Sequence, residues 1–435
     1  MTDKSTYSSE GDKMYNWATE LFPINRSITG EGVRETLIYI KSIVPELQIH
    51  SIPSGNTAFD WTVPDEWNIS EAYIAYENGE KIVDFKNNNL HLMGYSEPVD
   101  LWMNFDELDK HLYSLPDQPT AIPYLTSYYK RRWGFCIAHN QRQLFKDGKY
   151  HVVIKGSLQP GVLNYGEILI PGESEDEIFL STYICHPSMA NNEISGVVVT
   201  TALTKWILEN TNRRYSYRIV FLPETIGSII YLSRNVDKMK QNIKAGFVLT
   251  CVGDNRRYSF MPSRLGDTLA DRVAKYALEN FIASFDTYSF LQRGSDERQY
   301  CSPLIDLPVV SVMRSKYGTF PEYHTSLDNL HFISSEGLEG SFDINKKCLQ
   351  ILENNYTYKA TTYCEPQLGK RGLYNITSNQ DSDDLINLLA YADGLTDLLK
   401  ISEIIACDFF TCVEIAAVLE KSGLLKKVSS SITNV

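Results

Sequence analysis

The sequence predicts an α/β protein: a mixed, mostly parallel sheet flanked by helices, carrying a small, mostly β insertion and a C-terminal winged-helix unit. Three observations lead there. Residues 152–350 alternate β-rich and helix-periodic runs, the order that builds a parallel sheet covered on both faces. Residues 58–151 hold four of the six tryptophans (Trp61, Trp67, Trp102, Trp133) in short segments punctuated by proline. Beyond CEPQLGKRGLY the rhythm shortens into three helical stretches.

Residues 12–44 carry helical spacing in two runs (Met14, Trp17, Ala18, Leu21, then Val33, Leu37, Ile40, Val44), broken by the turn-forming loop FPINRSITGEG. LQIHSIPSG reads as a strand running into a turn. In the insertion, AYIAYENGEKIVDF is a hairpin signature about an Asn-Gly turn. The aromatic residues there suit the insertion's own core, or a lid over a site. YHVVIKG and EIFLSTYI then read as strands, ISGVVVTTALTKWILEN as a helix, YRIVFLP as a strand and SIIYLSRNVDKM as a helix. AGFVLTCV and LPVVSVM are further strands; TLADRVAKYALEN and a run near 335–355 are further helices. The expected domains are residues 1–57 and 152–365 for the main fold, 58–151 for the insertion and 366–435 for the winged helix.

Composition narrows the function. A net charge of −13 excludes a general nucleic-acid binder, which needs a basic footprint. Residues 366–435 carry six Lys and Arg against nine Asp and Glu, the wrong sign for phosphate contacts, so the winged helix is expected to serve protein contacts or self-association. Eight cysteines without a CxxC pair read as reduced core residues, neither a disulfide scaffold nor a zinc knuckle. The polar start MTDKSTYSSEGDKMYNW lacks the apolar core of a signal peptide, and no run of about eighteen apolar residues could span a membrane. A cytoplasmic protein is expected.

Sheets of this kind place their chemistry at the carboxyl ends of the strands. His186 follows EIFLSTYI, Glu224 follows YRIVFLP and Asp254 follows AGFVLTCV; His324 lies in the polar loop PEYHTSLDNL. Amide hydrolysis near neutral pH needs an activated water, a proton carrier and something to hold the developing oxyanion. A metal and a carboxylate supply all three. A lone histidine is usually structural, and His50, His91, His111, His139, His151 and His331 read that way. The acidic and hydroxyl neighbours of His186 and His324 set those two apart.

In order and spacing, CHPSMANNEISG, FLPETIGS, RGSDERQYCSP and PEYHTSLDNL resemble the site segments of the zinc aminopeptidase superfamily, which includes the bacterial leucine aminopeptidases and the glutaminyl cyclases. LFPINRSITGEGVRETL, NTAFDWTVPDEW, IPYLTSYYKRRWGFC and EPQLGKRGLY are similar to a bacterial subgroup of aminopeptidase-like proteins associated with polysaccharide biosynthesis. The resemblance implies a metal-dependent amide or peptide hydrolase acting on a small-molecule or peptide-like substrate. It implies His186 and His324 as metal ligands and Glu224 as the general base. Asn192 falls where two-zinc relatives have a bridging aspartate, and Thr225 and Thr250 replace two further acidic ligands, so at most one zinc ion is implied. Asp296 is implied to support the site through hydrogen bonds, against the plainer alternative of a loop ion pair with Arg298 or Arg293. Glu297, Arg298, Tyr323 and Asp328 fall in the same segments and are expected to support the site or face substrate. Arg26, in the FPINRSITG loop, is expected to reach the same pocket.

Asn192 is the departure with the clearest consequence. An amide oxygen is neutral and a poor zinc ligand beside carboxylate, imidazole or thiolate. A unit charge pair about 4 Å apart interacts by roughly 4 kcal/mol at an effective dielectric of about 20, and a third of that changes affinity about tenfold. Glu193 is an alternative donor, but its side chain leaves the backbone in another direction. The free N–H groups at the start of helix ISGVVVTTAL favour a carboxylate or bound anion nearby. The competing reading is a peptidase-fold binding or scaffold protein with a weak or inactive centre.

Overall fold

Strand Glu177–Tyr183 is buried at every position, as a run covered on both faces must be. It lies within an eight-stranded sheet of order Gln48–Pro53, Val162–Ile170, Ser216–Leu222, Glu177–Tyr183, Ile243–Val248, Val309–Met313, Tyr258–Met261, Phe285–Thr287. The four strands from Ser216–Leu222 to Val309–Met313 are parallel. Antiparallel pairings join Gln48–Pro53, Val162–Ile170 and Tyr258–Met261 to this centre. Helix Ser195–Glu209 packs on Glu177–Tyr183, and Leu269–Phe281 on Ile243–Val248 and Val309–Met313. This computed structural model describes residues 9–373 and 379–428; residues 1–8, with the start of the polar opening stretch, lie outside the described residues.

The central strands and their helices fall where hydrophobic periodicity places them. Val162–Ile170, Tyr258–Met261 and Phe285–Thr287 carry no such signal. Asn164 and Gly166 interrupt the first, and the other two are short, so tertiary pairing selects them. Helices Glu10–Leu21 and Glu31–Ile43 flank the FPINRSITGEG loop as expected. Gly30 enters the second helix at φ 99°, where an added Cβ would lie 2.2 Å from the Trp67 carbonyl oxygen, so only glycine serves there.

The insertion folds as a four-stranded antiparallel sheet of order Lys81–Asp84, Glu66–Tyr76, Lys149–Gln159, Val99–Asn104. The predicted hairpin joins its first two strands, with Gly79 at φ 85° in the turn. Strand Lys149–Gln159 pairs with Glu66–Tyr76 along its length, so the small sheet continues past residue 151. Trp67 stacks on Tyr95 with ring centroids 5.7 Å apart, and both share one apolar cluster with Phe179 and Val220 of the main sheet. Among the described residues, those up to Asn345 accordingly form one compact unit and those from Lys346 a second.

Within the second unit, helices Asn379–Tyr391, Leu398–Ile405 and Phe409–Lys421 accompany a three-stranded sheet of Asp393–Asp397, Thr357–Ala360 and Leu425–Lys427. This is a winged-helix arrangement, and its sheet begins ahead of residue 366 because Thr357–Ala360 is the central strand. Leu388, Leu398, Ile401, Phe409, Cys412 and Leu419 form its buried interior. Among the described residues, no helix is long and apolar enough to cross a membrane.

Candidate active site

Three parallel strands, Ser216–Leu222, Glu177–Tyr183 and Ile243–Val248, end side by side. The loop after Glu177–Tyr183 delivers His186, and a π-helical turn, Ala190–Ile194, then leads into helix Ser195–Glu209. That turn aims Glu193 back at the loop. Glu193 Oε2 accepts from the backbone N–H of Cys185 (2.6 Å) and of His186, and lies 2.9 Å from His186 Nδ1. Arg26 Nε donates to Glu193 Oε1 at 2.7 Å and to the His186 carbonyl at 3.1 Å, with both charged side chains fully buried. A carboxylate on Nδ1 fixes the tautomer that leaves Nε2 free to accept or to ligate. Burial opposes the His186 imidazolium, but the Glu193 hydrogen bond and charge outweigh it and raise the pKa.

Glu224 reaches His186 from the neighbouring strand end, its Oε2 3.7 Å from Nε2. Burial raises the Glu224 pKa, only partly offset by the charges of His186 and Arg298. His324 completes the group. Its ring centroid lies 5.4 Å from that of His186, its Nε2 is buried without a hydrogen-bond partner, and burial beside His186 pushes its pKa down to about 3. The Tyr124 ring touches both imidazoles at 5.1 Å, Tyr323 stacks on His324 at 3.9 Å, and Tyr124 N–H donates to the His324 carbonyl. Ser188, Thr225, Cys251 and His324 all hold left-handed backbone at this site, a conformation costly for side-chain-bearing residues and typical of functional loops.

Asn192 sits deeper. Its Nδ2 donates to the Tyr183 hydroxyl at 2.9 Å and contacts Cys251 Sγ at 3.7 Å, while Oδ1 is buried with no partner. Thr250 Oγ1 and the Tyr183 hydroxyl both donate to the Asn192 carbonyl, at 2.7 and 3.0 Å, so Thr250 holds the turn. The carboxylate expected at the helix start is Asp328, which accepts from the N–H groups of Asn191 and Asn192 at 2.6 and 2.9 Å. Burial pushes Asp328 up to about 7. Asp296 Oδ1 accepts from Thr225 N and from the Ser228 hydroxyl, both at 2.8 Å, and makes no ion pair with Arg293 or Arg298. Burial and then the Glu224 charge push Asp296 up to about 7. Glu297 closes its own loop, accepting from Gly294 N, Ser295 N and the Tyr317 hydroxyl. Arg298 donates to Thr225 Oγ1 and keeps a buried Nε without a partner.

A cavity of 490 Å³ opens over His186, Glu224 and His324, with Arg298, Trp61, Tyr124, Tyr128 and Tyr129 on its walls. The insertion therefore supplies both a core and a wall of the site. Cys185 also lines it, but burial raises its thiol well above the usual range, so it is no thiolate nucleophile.

A family described as a domain of unknown function, DUF4910, matches residues 15–355, which is more than half of the chain. The chain belongs to the DUF4910 family. A winged helix-turn-helix family matches residues 356–427, beyond the DUF4910 region. A Clostridium acetobutylicum protein named for polysaccharide biosynthesis and an aminopeptidase-like domain is 46% identical over 427 residues, covering 97% of this chain and 98% of the relative. A crystal structure from the same organism, named as that of a peptidase, is 46% identical with a TM-score of 0.91 over 96% of each chain. The zinc aminopeptidase BSAP of Bacillus subtilis is 13% identical, with a TM-score of 0.57 over 78% of this chain and 94% of its own, a likeness of fold.

Glu193 has its hydrogen-bonding capacity used within the protein. Although Cys185, His186 and Glu193 place ligand atoms within 4.8 Å of one another, the Glu193 oxygens are taken by Arg26, two backbone N–H groups and His186. The Asp254 carboxylate accepts from the Ser315 N–H and hydroxyl, the Arg256 N–H and the Asn191 amide. Three atoms do suit a cation. The His324 Nε2 and Asn192 Oδ1 are buried and unpartnered, and the His186 Nε2 is freed by its tautomer. Two imidazoles and a neutral amide oxygen are a donor set of lower charge than zinc usually has. The sequence reading singled out none of Tyr124, Tyr128 and Tyr129, although they lie in the family-like segment IPYLTSYYKRRWGFC, nor Glu193 as the partner that orients His186.

Proposed function

We propose that this chain is a metal-dependent amide hydrolase of aminopeptidase type, using one zinc ion and acting in polysaccharide biosynthesis. The observation that carries the reading is the convergence of two imidazoles and a carboxylate of raised pKa on one cavity wall. The relative named for polysaccharide biosynthesis supports the setting. His186, His324 and Asn192 would hold the ion, which when bound lowers the pKa of water and polarises a carbonyl. Glu224 takes the proton of the attacking water and hands it to the leaving nitrogen, a task suited to a carboxylate whose pKa is raised toward neutrality. Arg298, on the cavity wall, offers its guanidinium charge to a substrate oxygen. Glu193 and Arg26 hold His186 in the ligating tautomer. All eight cysteines are unpaired, which supports a reducing, cytoplasmic setting.

The winged helix is read as a protein-contact module. The exposed positions of helix Phe409–Lys421, namely Thr411, Glu414, Ala417, Val418 and Lys421, carry one cation and one anion. A second reading, a peptidase-fold binding protein, is favoured by the neutral Asn192 amide, which spends its N–H donors on Tyr183 and Cys251. Asn192→Asp separates the two. Adding a carboxylate is expected to tighten zinc about tenfold, the scale of a partly screened charge pair, and to raise turnover on a panel of acyl and aminoacyl amides. Zinc competition titration and amine release measure both. Absence of zinc binding and turnover in the unaltered chain and in Asn192→Asp alike would favour the binding protein.

A further inference from the structure

Two aromatic side chains stand at the cavity with much of their surface free. Trp61 is 40% exposed and Tyr129 55%, both line the cavity, and their rings lie 6.0 Å apart at 59°. They are not simply loose surface groups. Trp61 belongs to the short hairpin Thr57–Ala58/Trp61–Thr62, and the Tyr129 hydroxyl donates to the Thr62 carbonyl at 2.9 Å, tying one ring to the other's strand. The result is a held apolar platform beside the polar wall of His186 and Glu224.

The charges of the cavity restrict what can occupy it. Among the described residues, Glu224 is the only carboxylate on its wall, and it already faces His186. A substrate with a free α-ammonium group would need a second anion, and Asp296 and Glu297 are fully buried behind the wall. The cavity therefore suits a neutral acyl group and a ring with one apolar face and a hydroxylated edge. A pyranose has that shape: its axial C–H groups stack on an aromatic face while its hydroxyls point to water. Resting on the amide-hydrolase reading above, we propose that the pocket takes an N-acylated amino sugar, its ring stacked on Trp61 and Tyr129 and its amide set against His186, Glu224 and His324. Water then adds across the amide C–N bond. The acyl carbon gains the hydroxyl and leaves as a carboxylic acid, and the sugar nitrogen gains the proton and leaves as the free amine. No other reactant is consumed.

The test uses the full-length Glu224→Gln protein, so that binding is read without turnover. Methyl glycosides of N-acetylated amino sugars and aminoacyl amides with a free amine are titrated by calorimetry. The sugars are expected to bind more tightly than the amides. Adding Trp61→Ala is expected to weaken the sugars about tenfold, the upper range for an aromatic stack, with Trp61→Phe recovering most of the loss. Trp61 is partly exposed, and far-ultraviolet circular dichroism confirms that the variants fold. Amides binding as tightly as sugars, sugar binding insensitive to Trp61, or no binding by either class would each overturn the proposal. Sugar binding that depends on Trp61, with no amine released by the unaltered chain, would uphold the ligand class and overturn hydrolysis.

Discussion

Arg26→Ala is expected to destabilise the protein by about 3–5 kcal/mol, the cost of leaving one member of a buried ion pair alone. Arg26 and Glu193 are each about 1% exposed, and the Arg26 Nε–Glu193 Oε1 contact is 2.7 Å. Without the guanidinium, the Glu193 carboxylate keeps two backbone N–H groups and His186 but loses its compensating charge. A loss of this size exceeds what most single substitutions produce, and it reaches function because the same carboxylate orients His186. Denaturant unfolding measures it. Arg26→Met combined with Glu193→Gln, which removes both charges together, is expected to recover a large part of the stability. A loss under about 1 kcal/mol for Arg26→Ala would mean that Glu193 finds another partner or protonates without cost.

Glu224→Gln is expected to lower kcat by about 10²–10⁴, the usual contribution of a positioned general base. The amide keeps the size of the side chain and its contact with His186, so zinc affinity and the unfolding midpoint should change little. The pH profile carries a sharper signature. The base works ionised, and burial raises its pKa, so activity is lost as pH falls through a point above the ordinary glutamate value. A profile whose acid limb lies at that ordinary value, or kcat reduced less than tenfold in the variant, would assign the proton transfer to another group.

Much of this was legible in the residues. Glu177–Tyr183, Ser216–Leu222 and Ile243–Val248 are β-rich segments of mostly apolar character, and a polar residue follows each within a few positions. The strand-end rule therefore finds His186 and Glu224 without coordinates. The same rule points equally to Asp254, because a strand end says nothing about which neighbours engage a carboxylate; Ser315, Arg256 and Asn191 do so here. Glu193 shows the limit from the other side. Whether it ligates or orients depends on the π-helical turn that swings it towards Arg26, and such a turn has no sequence period of its own. The aromatic wall was hidden for a similar reason. Trp67 and Tyr95 form core while Trp61 and Tyr129 face the cavity, and composition treats all four alike.

On the proposed reading, His186 and His324 share one cation beside Glu224. Crystals equilibrated with zinc and measured at its absorption edge test it most directly. A single anomalous peak is expected at the usual zinc–nitrogen distance, about 2.0–2.1 Å, from the Nε2 atoms of both histidines. A peak held by Cys185 and Glu193, or none between the two imidazoles at saturating zinc, would contradict it.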